Sequence, residues 1–465
     1  MYEVENALKS LDSYSVLLKG APGTGKTTYA ITLLEHLCQG DAKGVYISTR
    51  IDPSVLYKQF PGLESRIPSK NIIDATQSEF SESEFQVIYE DDTSFLRAVY
   101  SLVAEEDVTI LLIDSWDAVS FQIGKENKKS IEKLENSMLD IARKTKTRLL
   151  LISEYSGEKK MDYLVDSIIR LEKDKVDDRT IRKMYVDKLR GFVVPHTSYP
   201  FTLEAGKFTH FDATTRLGMG KYRVIKRNKG NEEKSNSYYS TGIEDLDLII
   251  GGYPKGSFVL LEIADDSISQ SYRPVLFHTI SNFMLNGGGV IYMPEEGSYS
   301  SSVKRLLLEY LDAKVLDKYL RMPTISEAES EDTCLFKIGS GGDDGSLDTY
   351  LTKHLEVYKE LKKPVLHVIG LSRLDIYSEE DIRGMLSELV SWVRTTNDVF
   401  IGVLKPSAKL KSEIREMADV HLRFLPISGT INVYGVKPYT LLYNISPSSP
   451  TTKGEQHQLK LTPFL

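Results

Sequence analysis

The chain has 465 residues, 41% of them hydrophobic, which is enough apolar material for roughly two to four ordinary domains. Its 58 basic and 66 acidic residues leave a net charge of −8, and that balance argues against a dedicated nucleic-acid binder, which carries a basic face. Two cysteines, Cys38 and Cys334, exclude a disulfide framework and a cysteine zinc site. No apolar run reaches the ~18 residues of a membrane span, and the acidic start Met1-Tyr-Glu-Val-Glu-Asn6 lacks a signal-peptide core, so a cytoplasmic location with no membrane partner is expected.

In chain order, 15–19 reads as a short buried strand and 28–38 as a helix with apolar residues near helical spacing. Between them Gly20-Ala-Pro-Gly-Thr-Gly-Lys-Thr27 fits the phosphate-binding pattern G-x-x-x-x-G-K-[ST] at every fixed position. Gly20, Gly23 and Gly25 let backbone N–H groups curl around a phosphate. The helix that follows aims its positive N-terminal end at the same anion. Lys26 is expected to reach the β- and γ-phosphates, and the Thr27 hydroxyl to sit on Mg²⁺. Gly20, Ala21, Pro22, Gly23, Thr24, Gly25, Lys26, Thr27 and Thr28 are therefore the expected nucleotide contacts. A plain glycine turn is the bland alternative, and it would not need flanks that fit the motif so well.

The alternation of strand and helix continues. Strands are predicted over 44–48, 108–114, 147–153 and 167–171, helices over 93–106 and 128–144, and antiparallel edge strands over 180–189 and 201–211. Asp114 ends its strand at the edge of the sheet where open α/β sheets bind ligands. It is the natural second acid for a magnesium ion, though an acid there can also cap a helix. Residues 215–238 hold little to bury and read as a linker, whose run Lys226-Arg-Asn-Lys-Gly-Asn231 is expected to be a solvated charge cluster, with contact to an acidic partner or nucleic acid as the competing reading.

Beyond the linker, strands are predicted over 257–261, 289–293, 365–369 and 398–404, and helices over 272–285, 299–311, 347–361 and 379–396. Residues 327–332 and 339–346 are acidic or glycine-rich and expected to be exposed, and 446–465 reads as a loose tail. The repeated grammar predicts two related α/β domains of mostly parallel sheet: a nucleotide-binding domain over 1–214, the linker over 215–238, a second domain over 239–446 and a tail over 447–465.

These features resemble the RecA-like ATPases, and among them the KaiC-like branch. Val45-Tyr-Ile-Ser48 resembles the strand after the P-loop helix, Leu111-Leu-Ile-Asp-Ser115 the Walker B strand, and Leu150-Leu-Ile-Ser153 the sensor strand. Val186-Asp-Lys-Leu-Arg-Gly191 is similar to the family's K-x-R-G stretch. The resemblance implies that Lys188 and Arg190 reach a neighbouring subunit's γ-phosphate in a ring; solvated edge-strand charges are the competing reading. It also implies a Glu-Glu pair after the second strand, one carboxylate activating water. Arg50 and Ile51 stand there instead, with Asp52 and Glu154 as the nearby acids that could substitute. Losing a general base removes about 10²–10⁴ in rate, so slow or absent hydrolysis is expected, and Arg50 is a candidate phosphate contact.

Ser240-Thr-Gly-Ile-Glu-Asp-Leu-Asp247 with Gly251-Gly252 and Pro254-Lys-Gly256 resembles the opening of a KaiC-like domain. Where a second P-loop belongs, Glu262-Ile-Ala-Asp-Asp-Ser-Ile-Ser-Gln-Ser271 has no glycine–lysine–threonine signature, and Asp265 and Asp266 would repel phosphate. Gly370 stands at the Walker B place, while Glu295-Glu296 keeps the family's pair, with helix capping as its remaining role. An intact first domain beside a degraded second resembles the archaeal KaiC-like signalling ATPases, including gas-vesicle regulators of the GvpD type. That resemblance implies a regulatory switch with Mg–ATP in the first domain. Its partner is a second copy or a regulatory protein, and the second domain is a structural or partner-binding platform. A slow RecA-like ATPase acting on DNA is the alternative, disfavoured by the acidic balance, and a kinase is disfavoured by the missing second P-loop.

Overall fold

The computed structural model describes residues 2–38, 42–60, 63, 67–75, 92–124, 128–154, 160–213, 237–265, 270–324, 332–337, 345–448 and 458–465. Most of the expected linker with its basic run, Asp266, the acidic stretch over 327–331 and the glycine-rich loop over 339–344 lie outside them. The chain divides into two compact units, Met1–Asp212 with Phe464–Leu465, and Ala213–Pro463. Both are RecA-like α/β folds. Among the described residues no helix is long and apolar enough to cross a membrane.

The first unit is built on nine strands: β1 (Ser15–Lys19), β2 (Gly44–Ser48), β3 (Ile72–Asp74), β4 (Ile110–Asp114), β5 (Arg148–Ser153), β6 (Ser167–Val176), β7 (Arg179–Leu189), β8 (Ser198–Thr202) and β9 (Thr209–His210). Their order is β3-β2-β4-β5-β1-β6-β7-β8-β9. The first six places are parallel, and β7 to β9 extend the sheet antiparallel. β1 is buried along its whole length, as a central parallel strand covered on both faces must be. Leu33 and Leu34 of the helix Lys26–Leu37 pack on one face. Phe95, Val99, Leu134 and Met138 of the helices Asp92–Glu105 and Lys128–Thr145 cover the other.

The second unit has a small antiparallel pair, β10 (Tyr238–Tyr239) and β11 (Tyr253–Pro254), and a ten-stranded sheet. The sheet's strands are β12 (Ser257–Ile263), β13 (Gly289–Met293), β14 (Leu320–Thr324), β15 (Leu335–Lys337), β16 (Val365–Gly370), β17 (Val399–Leu404), β18 (Val420–Ile427), β19 (Thr430–Lys437), β20 (Tyr443–Pro447) and β21 (Leu459–Pro463). The order β15-β14-β13-β16-β17-β12-β18-β19-β20-β21 contains the run β14-β13-β16-β17-β12-β18-β19. That run repeats β3-β2-β4-β5-β1-β6-β7 of the first unit strand for strand. Phe258 of β12 stacks on Phe400 of β17 at 4.6 Å between ring centroids, inside this unit's core.

Three expectations change. The tail is not loose at its end: Leu459–Pro463 pairs antiparallel with β20, because Leu459 and Leu461 alternate inward onto the core. The helix expected over 299–311 is Ser300–Leu307, followed by a separate helix Ala313–Tyr319 that leads into the unpredicted strand β14. The short edge strand β3 was also not anticipated, since three residues carry no readable period.

Candidate functional site

The P-loop joins β1 to the helix Lys26–Leu37. Gly25 holds φ 103° at the helix start, a backbone state that side chains disfavour. A Cβ there would also lie 2.8 Å from the Leu203 side chain. Lys26 is buried, and its Nζ donates to Gly20 O at 2.7 Å and Ala21 O at 2.9 Å. Burial pushes its ammonium below the ordinary lysine range; the charges of Glu154, Asp114 and Asp117 oppose that, and Arg50 adds to it.

The loop opens on a cleft of about 380 Å³ at the C-terminal edge of the sheet, lined by P-loop residues together with Ser48, Arg50, Ile51, Asp114, Glu154 and Leu203. Asp114 ends β4 directly beside Ser48 of β2. Its Oδ2 accepts the Thr27 hydroxyl at 2.8 Å and the Tyr46 hydroxyl at 2.8 Å. Asp114 therefore does not cap the next helix; it is aimed at the P-loop. The Asp114–Ser115 peptide is cis. Thr49 lies against it, its Oγ1 accepting the Ser115 N–H at 2.7 Å and its N–H donating to Asp114 O at 2.8 Å.

Where the family places paired glutamates, Arg50 Nη1 meets Glu154 Oε2 at 2.5 Å across the cleft. Glu154 follows β5, and its N–H donates to Asp117 Oδ2 at 2.5 Å, which fixes the backbone that presents it. Asp52 does something else: it caps the helix Pro53–Gln59, accepting Ser54 N–H at 2.7 Å, and does not line the cleft. Of the two acids proposed as substitutes, the fold brings only Glu154 to the site.

Lys188 and Arg190 do not line this chain's cleft. Lys188 Nζ donates to Val165 O at 2.6 Å and Asp162 O at 2.9 Å, closing the carbonyl end of the turn Met161–Leu164. Arg190 Nη1 lies 3.1 Å from Asp166 Oδ1. Two contributors went unread in the sequence. Tyr46 reaches Asp114 only because β2 lies next to β4, and Arg182, from β7, donates to the P-loop carbonyl Gly23 O at 2.9 Å. Both links depend on strand order, which no local pattern announces.

The second unit has the same frame with a different filling. β16 ends in Gly370 where β4 ends in Asp114. A Cβ on Gly370 would lie 2.3 Å from Glu295 Cα and 2.4 Å from Glu295 N. Glu295 is buried, and its Oε1 accepts from Arg273 Nη2 at 2.7 Å and Ser298 Oγ at 3.1 Å. Arg273 opens the helix Arg273–Leu285, the counterpart of Lys26–Leu37, so its guanidinium is already committed. The expected capping role for the glutamate pair is not seen: the helix Ser300–Leu307 has no side-chain cap, and Glu295 instead neutralises Arg273.

A P-loop on a central strand, with an acid at the end of the neighbouring-but-one strand bonded to the loop threonine, defines a P-loop nucleotide-binding fold of the RecA-like class. Residues 8–187 match the family model described as GvpD gas vesicle protein, P-loop domain. Protein GvpD2 of Halobacterium salinarum is 28% identical over 451 residues, covering 93% of this chain and 90% of that protein. Protein GvpD1 of the same organism is 26% identical over 502 residues, covering 93% and 91%. Circadian clock protein KaiC2 of Synechocystis is 24% identical over 347 residues, covering 70% and 57%. The chain is thus similar to GvpD proteins along most of its length and to KaiC proteins over a shorter stretch, and the match to the GvpD P-loop model falls on residues 8–187, the part that carries the cleft.

Proposed function

We propose that this protein is a nucleotide-dependent regulatory switch that holds Mg–ATP in the first unit and hydrolyses it slowly. The observation that carries the reading is the convergence of Lys26, Thr27 and Asp114 on one cleft at the sheet edge. The hydroxyl of Thr27 and the carboxylate of Asp114 are hard oxygen donors, the set that magnesium takes directly or through water. Bound magnesium would neutralise phosphate charge. Lys26 is bonded to two loop carbonyls, so its ammonium is held at the mouth of the loop and exchanges those partners for phosphate oxygens.

Slow turnover follows from the Arg50–Glu154 pair. The carboxylate oxygen of Glu154 is engaged by the Arg50 guanidinium at 2.5 Å and has to be released before it can accept a proton from an attacking water. The cleft then retains ATP rather than consuming it, which suits a switch. Binding at about 100 times Kd stabilises the bound state by roughly 2.7 kcal/mol, enough to shift an assembly equilibrium if the two states differ in affinity. The relatives named for KaiC and gas-vesicle proteins fit such a role, with the second unit as the platform read by a second copy or a regulatory protein, in an archaeal cytoplasm. Lys188 and Arg190, if they act between copies, must first leave Asp162, Val165 and Asp166.

Phosphate release from Mg–ATP, measured beside equilibrium ATP binding, tests this. Wild type binds ATP with slow turnover, Lys26→Ala loses both, and Glu154→Gln keeps binding but loses most of the residual turnover. ATP binding by Lys26→Ala equal to wild type overturns the reading. ATP-stimulated, salt-dependent DNA binding would move it to the DNA-acting alternative.

A further inference from the structure

Three buried side chains of the second unit meet at the opposite end of its sheet from the P-loop position. His354 comes from the helix Gly345–Leu361, His367 from β16, and Asp398 immediately precedes β17. They are 1%, 0% and 0% exposed. His354 Nε2 lies 3.7 Å, and His367 Nε2 3.9 Å, from the same oxygen, Asp398 Oδ2. Both separations are too long for hydrogen bonds. One donor atom from each residue falls within 4.8 Å of the other two.

The burial leaves accounts open. His354 Nδ1 and His367 Nε2 have no hydrogen-bond partner. Among the described residues no lysine or arginine comes within ion-pair distance of Asp398; only the two imidazoles do. A fully buried carboxylate without a cation is costly. Yet the group is held in place: Oδ1 accepts Val365 N–H at 2.7 Å and Oδ2 accepts the Thr396 hydroxyl at 2.6 Å. His367 Nδ1 lies 3.0 Å from Tyr350 Oη. With Nδ1–H donated to that hydroxyl, the Nε2 lone pair faces Asp398.

We propose that His354, His367 and Asp398 form a structural site for a divalent transition-metal ion of the zinc class. Two imidazoles and one carboxylate are a borderline-soft set suited to zinc and unlike the all-oxygen set that magnesium takes. Donors about 2.0–2.2 Å from a tetrahedral ion stand roughly 3.3–3.5 Å apart, so the three side chains must draw together from separations of 3.7 and 3.9 Å to the carboxylate and no more than 4.8 Å between any two donors. Tyr350 and Thr396 supply the outer hydrogen bonds that orient a ligating histidine and carboxylate. The ion would tie the helix Gly345–Leu361 to β16 and to the turn that enters β17. It would also supply the positive charge that Asp398 lacks.

The test uses the full chain produced in zinc-supplemented medium and gel-filtered in chelator, with metal counted by plasma mass spectrometry. About one zinc per chain is expected in wild type, with the metal lost in His354→Gln and in His367→Gln. In parallel, wild type is refolded with one equivalent of Co²⁺, which should give the visible absorption of four-coordinate cobalt without a thiolate band; this readout needs no variant to fold. Fewer than about one ion per ten wild-type chains, both as purified and after refolding with metal, overturns the proposal. So does undiminished zinc in a folded His354→Gln protein.

Discussion

Arg50 is the residue that most distinguishes this cleft from a vigorous ATPase. Its guanidinium and the Glu154 carboxylate are 45% and 36% exposed, so their pairing is screened and contributes little to stability. Its importance lies in what it points at, because both groups line the cleft beside Lys26 and Thr27. With a polyphosphate present, Arg50 has a more highly charged partner available than Glu154. Arg50→Ala is therefore expected to weaken ATP binding by roughly fivefold, about 1 kcal/mol, with the fold's thermal midpoint unchanged. Titration of a fluorescent ATP analogue into wild type and variant reads this directly, and equal affinities would remove Arg50 from the phosphate site. Tyr46 works differently. It is buried, and burial together with the neighbouring Asp114 holds its phenol well above the ordinary range. It stays protonated and donates to Asp114 Oδ2, the same oxygen that accepts the Thr27 hydroxyl of the P-loop.

At the scale of elements, the loss of a nucleotide site in the second unit is a packing statement about the end of β16. Gly370 has an ordinary backbone (φ −73°), so the glycine is not there for its conformational freedom. It is there because Glu295 backbone atoms occupy the space a Cβ would need. Restoring an acid by Gly370→Asp should cost about 2–4 kcal/mol through overpacking and burial of a charge beside Glu295. Denaturant unfolding should show the loss, and nucleotide stoichiometry should remain one per chain; a second bound ATP, or no loss of stability, would refute the packing argument. The sequence made the glycine visible, but not its cause. The P-loop was legible because its strand, glycines, lysine and helix are contiguous and each answers a local requirement. So was Asp114, as the acid closing an apolar strand. Tyr46, Arg182 and the His354–His367–Asp398 cluster were illegible because their neighbours are set by strand order. Leu459–Pro463 was misread because its polar flank hid a two-residue alternation that becomes informative only beside β20.

The whole chain repeats one strand order twice, and the two copies hold charge in opposite ways. The first unit presents Asp114 and Glu154 to an open cleft, whereas in the second unit the buried acids Glu295 and Glu262 are paired with Arg273 and Arg415. Glu262, two strands from Gly370 on β12, is the clearest case. It is 4% exposed and takes a bidentate pair of bonds from Arg415, at 2.9 and 2.6 Å, and another from His421 at 2.8 Å. Burial alone would raise its pKa, but the bonds from His421 and Arg415 and the charges of Arg423 and Arg415 outweigh it and hold it at about 2. A carboxylate depressed in the folded state adds stability that is fully present above its unfolded pKa and is lost as the pH falls through the folded value. Here that window runs from about pH 4.5 down to about 2, and the contribution is about 2–3 kcal/mol. His278 acts over a separate window. Burial, only partly opposed by the Pro274 carbonyl, lowers its pKa to about 4, so the folded state resists a proton that the unfolded chain accepts. Stability therefore also falls between about pH 6.5 and 4, mostly above the range in which Glu262 titrates. Chemical denaturation across pH 7 to 2 should show both declines in wild type. In Glu262→Gln the lower one should be shallower, since Glu295 and Asp332 are also held low and still titrate there, so that the stability gap between the two proteins, wide at pH 6, narrows toward pH 2. A gap that stays constant across that range would mean that Glu262 is not held ionised by its partners, and that the second unit's internal neutralisation of charge contributes nothing to its acid stability.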